Sequence, residues 1–380
     1  MRVAIVHDWI TVPGGAEEVL REICRLVPDA AIFTAQFNPE RFPWLRGRDV
    51  RATWVSKMPF SKSRHYLYAP ILADVYRSMD LREFDVVLTS SHSFAHGVRK
   101  RPDALHFCYY YTPARSLWFP EIDKRAGNDP LRKMIAKRLR RLDLIAARGP
   151  DVAYAISETS AQRVRDVYKR PCGVIYPGVD TRKYGDVVRE LDDGSLLMWG
   201  RLIRYKKFDL GIEAAKLLGR KLHVVGSGPF EPQLRKLAGD DPNIVFHGRL
   251  PDADLKALLS RCFAVLFPPY EDYGIVPIEA LAAGVPVVAF GEGGARETIP
   301  PTCGALFTSQ TPEALAEAVR SLEAHSFDPQ ALRRQAARFD NQVFRFEYTK
   351  AVNDAVEAHF PGRAPLIAPQ CEPEPLRGSL

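Results

Sequence analysis

Residues 263–290 read FAVLFPPYEDYGIVPIEALAAGVPVVAF, and the fold follows from this stretch. Phe263 to Phe267 is a short apolar run, the composition of a strand buried on both faces. A loop rich in proline, tyrosine and glycine comes next. The pattern then predicts a short helix starting near Pro277 and stopped by Gly284 and Pro286, before a second buried strand. Units of this kind hold ligands at the carboxyl ends of their strands, beside the helix N-terminus. Glu271 in the loop and Glu279, expected in the first turn of the helix, occupy that position. Such a pair of acceptors suits a ligand that carries both hydroxyls and phosphate. The same residues also fit a plainer account, in which Glu279 complements the helix dipole and Glu271 is a solvated loop charge.

Two upstream segments bear on that choice. Leu196 to Trp199 is another short apolar strand, and it runs into Gly200-Arg201-Leu202-Ile203-Arg204-Tyr205-Lys206-Lys207. Arg201 offers a planar fork for phosphate oxygens and Lys206 a mobile point charge, although basic loops are also commonly just solvated. A third strand ends in Val225-Gly226-Ser227-Gly228-Pro229, where glycines let backbone approach a ligand. The third glycine of a dinucleotide fingerprint is missing.

In type and order these pieces resemble the retaining glycosyltransferases of family 4. The Glu271–Glu279 pair, Gly200 to Lys206, the VVGSGP turn and the run from Gly284 to Glu297 match the C-terminal domain of that family. Val3-Ala4-Ile5-Val6-His7-Asp8-Trp9, followed by Gly14-Gly15-Ala16-Glu17, resembles its first strand and glycine loop. VHDW, GGAE, DVVLTSSHSFAHGV, CYYYTPARSLW and YEDYGIVPIEA resemble a bacterial subgroup with mannosyltransferases of O-antigen assembly. The resemblance covers about residues 1–355.

It implies an α/β protein of the GT-B fold, two Rossmann-like doubly wound domains facing a central cleft. Glu279 would bind the ribose hydroxyls of a nucleotide diphosphate sugar. Arg201 and Lys206 would neutralise the leaving diphosphate, and Glu271 would lie against the sugar. Gly200, Gly226 and the Asp272-Tyr273-Gly274-Ile275 segment would line the donor. Gly15 would present its N–H to a phosphate, and His7, Asp8, Gly14 and Tyr111 would be sugar or acceptor contacts. Arg201, Lys206 and Glu271 would carry the catalysis, with no metal or other cofactor. The family usually has histidine where Tyr111 stands, and glycine where Lys207 stands. The expected donor is GDP-mannose and the expected acceptor a glycan, free or linked to a polyprenyl diphosphate. A nucleotide-sugar 2-epimerase of the same fold, or a non-catalytic binder, are the alternatives.

Composition excludes several other classes. The chain has 380 residues, 46% hydrophobic and 26% charged, which is enough for two ordinary domains. No apolar run is long enough to span a membrane, and MRVAIVHDW is a strand rather than a signal peptide. The six cysteines (24, 108, 172, 262, 303, 371) are scattered, as expected of reduced cytoplasmic thiols.

Charge is uneven: residues 1–180 hold 29 Lys/Arg against 20 Asp/Glu, and the remainder 24 against 26. The densest basic stretch is 131–148. Apolar residues at 131, 134/135, 139, 142 and 145/146 follow helical spacing and leave cations on the other face. Such a helix either lies on anionic lipid at the inner face of the plasma membrane or docks on its own domain. Nucleic acid is not an expected partner, because no aromatic or zinc pattern accompanies the charge.

Strands are expected at 2–6, 30–34, 85–89, 105–109, 152–156 and 173–176 in the first half. The domains are read as 1–180 on the acceptor side and 181–343 on the donor side, with a hinge near 178–190. A C-terminal helix over 344–360 is expected to return to the first domain, with 361–380, carrying five prolines, as a loose tail.

Overall fold

The computed structural model describes residues 1–120, 130–190 and 192–376. The chain divides into two compact units, residues 1–177 with 344–372 and residues 178–343 with 373–380. Each is built on an all-parallel sheet. Short runs of aliphatic residues form the central strands because both faces of a parallel sheet are covered by helices.

In the first unit the strands are β1 (Val3–His7), β2 (Ala31–Thr34), β3 (Val50–Ala52), β4 (Val86–Ser91), β5 (Leu105–Tyr110), β6 (Val152–Ala155) and β7 (Gly173–Val174). Their order across the sheet is β3-β2-β1-β4-β5-β6-β7. β1, β4 and β5 are buried throughout, and β3, at the edge, is the strand that hydrophobic patterning does not reveal, since its residues are half-buried or exposed. In the second unit the strands are β8 (Leu196–Trp199), β9 (Leu222–Val225), β10 (Ile244–Gly248), β11 (Ala264–Phe267), β12 (Val287–Phe290) and β13 (Gly304–Phe307), in the order β10-β9-β8-β11-β12-β13. In both sheets the direction of winding reverses once, between β1 and β4 and between β8 and β11. The crevice beyond the carboxyl ends of such a strand pair is where doubly wound sheets hold ligands.

Two expectations are corrected. The helix after β11 is Ile275–Ala282, two residues earlier than Pro277, so Glu279 lies in its second turn and does not act as a first-turn dipole partner. Gly274, at φ +91°, makes the earlier start possible. The segment from 361 is not loose over its described length. Ile367 is 1% exposed, and its backbone N–H and C=O pair with the Asn353 amide at 3.0 and 2.8 Å. Residues 377–380 of that stretch lie outside the described residues. The helix Asn341–His359 packs on the first sheet from Phe344 onward, with Phe344 and Tyr348 against Tyr109 and Arg345 paired to Glu22 at 2.7 Å.

The basic stretch forms the helix Pro130–Ala146. It is docked by a stripe of Leu139, Asp143 and Ala147, each 5% exposed or less. The buried Asp143 carboxylate accepts from Trp118 Nε1 at 2.7 Å and the Tyr168 hydroxyl at 2.8 Å, and lies 3.2 Å from His96 Nε2. Helical spacing puts 134/135, 139, 142 and 145/146 on the docked side, and Ile135, Leu139 and Leu142 do pack against the core of the first unit. Met134, Leu144 and Ile145, at the margins of that face, are exposed beside Lys133, Lys137 and Arg141. The side chains of Leu131 and Arg132 lie outside the description. Among the described residues, no helix is long and apolar enough to cross a membrane.

Candidate active site

The second unit gathers most of the expected site. β8 ends at Trp199, and Gly200 turns the chain at φ +141°. Arg201 then lies exposed, and the short turn Arg204–Lys206 brings Lys206 back. β11 ends at Phe267, and its loop carries Glu271 to the same place. The Lys206 ammonium and Glu271 carboxylate form an ion pair, with side chains 20% and 17% exposed. Two groups from loops that end β8 and β11, neighbours at the switch point, thus meet in a partly open position. Lys207 adopts φ +56°, the left-handed region that costs a side-chain-bearing residue about 1–2 kcal/mol, which is why glycine suits this position.

The loop bearing Glu271 is fixed from behind. Gly293 and Gly294 follow β12; a Cβ on Gly293 would meet the Glu271 carbonyl at 2.3 Å, and one on Gly294 the Tyr273 carbonyl at 2.2 Å. The Gly294 N–H donates to Glu271 O at 2.9 Å. Asp272 and Tyr273 are buried, so any contact they make with a ligand comes from backbone leading into the helix at Ile275.

Glu279 sits partly buried on the helix Ile275–Ala282 and accepts from Trp199 Nε1 at 3.3 Å. Burial raises its carboxyl to about 7, opposed by the Trp199 bond and the Lys183 charge, while Asp252 and Asp180 push it further up. The buried phenol of Tyr184 is raised by burial and then by the Glu279 charge. Sequence reasoning singles out neither Trp199 nor Tyr184. The available signal for Trp199 is its place as the last residue of the strand before Gly200-Arg201.

Gly226 has a packing role that the sequence does not show. A Cβ there would meet the Gly200 carbonyl at 1.9 Å, and one on Gly228 the Leu202 carbonyl at 2.2 Å. These glycines let the loops after β8 and β9 approach each other.

In the first unit, Gly14 and Gly15 are exposed at the start of the helix Gly15–Leu26, which has no side-chain cap. The neighbouring residues prove to be interior. The Asp8 carboxylate is fully buried and accepts four backbone N–H groups after β4, from His92, Ser93, Phe94 and Ala95, at 2.7–2.9 Å. It staples the switch point shut and has no capacity left for a sugar. His7 is also fully buried, with Nδ1 3.0 Å from Ser90 Oγ and Nε2 3.9 Å from Glu17. The Tyr111 hydroxyl donates to the Ala16 carbonyl at 2.9 Å and lies 3.1 Å from Ser90 Oγ, and burial pushes its phenol up. Tyr111 therefore ties the glycine loop to the sheet. His92, which in sequence reads as a residue that bonds nearby backbone rather than as a base, is 18% exposed and edge-on to Trp9 at 4.3 Å, with burial lowering its imidazole.

Two doubly wound parallel sheets, each reversing at one switch point, with a Lys–Glu pair and a second carboxylate at one of them, define a protein of the GT-B fold. The chain belongs to family 4 of the glycosyltransferases: residues 184–339 match the family Glycosyl transferases group 1 and residues 13–183 match Glycosyltransferase Family 4. It is 38% identical over 106 residues to a GDP-mannose-dependent monoacylated alpha-(1-6)-phosphatidylinositol monomannoside mannosyltransferase of Corynebacterium glutamicum, covering 26% of this chain and 28% of the relative. It is 32% identical over 163 residues to a GDP-mannose-dependent alpha-(1-6)-phosphatidylinositol dimannoside mannosyltransferase of Mycobacterium tuberculosis, covering 41% and 42%. The matches thus span less than half the length of these relatives. The crystal structure of Anabaena Alr3699/HepE in complex with UDP superposes with a TM-score of 0.68 at 18% identity, covering 93% of this chain and 100% of that one.

Proposed function

We propose that this chain is a retaining glycosyltransferase that moves a hexose from a nucleotide diphosphate sugar to a glycan acceptor, with GDP-mannose as donor and a polyprenyl-diphosphate-linked or related cell-surface glycan as acceptor. The observation that carries the reading is the meeting of Lys206 and Glu271 at the β8–β11 switch point, with Arg201 exposed on the same loop as Lys206 and Glu279 on the helix after Glu271. A bound diphosphate would draw the Lys206 ammonium to itself and release Glu271 toward the sugar hydroxyls. Glu279, when ionised, would accept from the ribose.

In the transfer, the acceptor oxygen bonds to the anomeric carbon as the bond from that carbon to the diphosphate oxygen breaks. Attack comes from the face the diphosphate leaves, and the departing diphosphate takes the acceptor proton. The protein's part is fixed positive charge on the leaving group, which Arg201 and Lys206 supply without a metal. The mannosyl donor is favoured by the subgroup motifs and by the GDP-mannose dependence in the names of two relatives. The exposed Met134, Leu144 and Ile145 beside cations support the helix Pro130–Ala146 as a contact with anionic lipid at the inner membrane face.

A thermal-shift screen of GDP, UDP, ADP and dTDP sugars tests the donor. GDP-mannose should raise the melting temperature more than the others. A preference for another nucleotide would replace the donor, and no shift with any of them would remove the donor site.

A further inference from the structure

From Val50 to Ala73 the chain has no acidic residue, and it carries Arg51, Lys57, Lys62 and Arg64. Within it, two short helical turns, Trp54–Lys57 and His65–Tyr68, flank a tight connection in the first unit. Trp54 is 56% exposed, Met58 40%, Phe60 65%, Tyr66 58% and Leu67 50%. These are five of the 13 exposed large hydrophobic residues among the described part of the chain. Three more, Met134, Leu144 and Ile145, lie on the basic helix Pro130–Ala146. The helix Ala69–Ser78 touches both the His65–Tyr68 turn and the basic helix, with Asp74 bonded to Arg138 at 2.6 Å. Isolated exposed apolar side chains are ordinary; a cluster of this kind marks an interaction surface.

The segment is not a slack loop. Ser61 is 1% exposed and accepts from Gln36 Nε2 through its carbonyl at 3.3 Å and its hydroxyl at 3.1 Å. The Tyr68 hydroxyl donates to the Pro59 carbonyl at 2.6 Å, and Val55 is fully buried. On this rigid base Phe60 sits at φ +58°, a backbone conformation that bulky residues rarely adopt and glycine adopts freely. The chain thus keeps a strained aromatic residue in a position where glycine would be comfortable, and that aromatic faces solvent. Strain held at an exposed side chain points to a contact made by that side chain.

We propose that the 54–67 segment is a membrane-contact tip that seats Phe60 in the headgroup–acyl boundary of an anionic bilayer. Trp54 and Tyr66 belong at that boundary by their amphipathic rings, and Lys57, Lys62 and Arg64 match lipid phosphates. The complete lack of carboxylates over 24 residues selects an anionic partner, and the aromatic and aliphatic side chains select one with an apolar layer beneath its charge. This membrane contact is independent of which donor the second unit binds.

The full-length chain is mixed with phosphatidylcholine vesicles with and without phosphatidylglycerol, and binding is read by co-sedimentation and by the blue shift of tryptophan fluorescence. Wild type is expected to bind the phosphatidylglycerol vesicles and to release them in high salt. Phe60→Gly removes the ring and relieves the left-handed strain, so its melting temperature should match or exceed that of wild type while its vesicle affinity falls by about tenfold. Phe60→Trp should retain binding. A Phe60→Gly protein that binds vesicles like wild type overturns the proposal and leaves the basic helix as the contact. A wild type that ignores both vesicles also overturns it, and if Phe60→Gly then lowers self-association the surface is a protein interface.

Discussion

Replacing Glu279 by glutamine should stabilise the protein and weaken its donor binding at once, in a way set by pH. Burial raises this carboxyl from an ordinary 4.5 to about 7. The folded chain therefore holds the Glu279 proton more tightly than the unfolded chain does. The contribution of this group to stability is full below about pH 4.5 and is lost as pH rises through about 7. A tenfold difference in proton affinity between the two states is worth about 1.4 kcal/mol, so at pH 8 wild type bears a cost of about 3 kcal/mol that the amide does not. Glu279→Gln, which keeps an oxygen acceptor for Trp199 Nε1, should melt several degrees above wild type at pH 8 and show little difference at pH 4. Binding should move the opposite way. An ionised acceptor for ribose hydroxyls contributes about 1.5–3 kcal/mol, so the variant should bind the donor about 10- to 100-fold more weakly at pH 8. A nucleotide sugar is the right titrant, because its diphosphate diester does not change charge in this window. Wild-type affinity should fall as pH drops below 7, whereas the variant should be flat. Calorimetric titrations and thermal melts across this pH range read both. A variant that binds as tightly as wild type with the same pH profile would falsify the placement of Glu279 at the donor.

Three further outcomes are expected. Lys206→Ala should lower kcat more than it raises KM for the donor, because charge on the leaving diphosphate grows toward the transition state; steady-state kinetics with a raised KM and intact kcat would assign it to ground-state binding alone. Tyr111→Phe removes the bonds to Ala16 and Ser90 and should cost about 1–2 kcal/mol of stability in denaturant melts, with donor preference unchanged. Asp8→Asn should cost more, about 2–4 kcal/mol, since an amide cannot accept all four backbone N–H groups that the carboxylate holds; a melt equal to wild type would mean that those bonds contribute nothing net.

The second unit is readable from sequence because most of its candidate site residues stand in loops at strand ends, where strand–loop–helix patterning fixes their direction. The meeting of Lys206 and Glu271, from the loops after β8 and β11, follows from that rule, whereas Glu279 lies on the helix beyond. The first unit is harder, because His7, Asp8 and Tyr111 also stand at or near strand ends, yet their side chains turn inward. Nothing in the local pattern tells a carboxylate aimed at a ligand from one that caps four N–H groups 84–87 residues away. The same limit applies to the glycines: in sequence nothing shows that Gly226 is needed for the close approach of the Gly200 carbonyl on the neighbouring loop. For the helix after β11, Pro277 is a plausible first-turn residue in sequence, but Gly274 supplies the turn and starts the helix earlier. For the basic helix, the apolar period does give the docked face, since Ile135, Leu139 and Leu142 pack against the core, but it does not show that the buried Asp143 joins them there.

The most direct test of hexosyl transfer at this site is to incubate the protein with GDP-mannose and a polyprenyl-diphosphate-linked glycan and determine the new linkage by NMR. Mannose should move to the glycan with the anomeric configuration it had in the donor, and Arg201→Ala and Lys206→Ala should depress the rate. An inverted linkage, or a donor sugar converted with no acceptor present, would contradict retaining transfer by this chain.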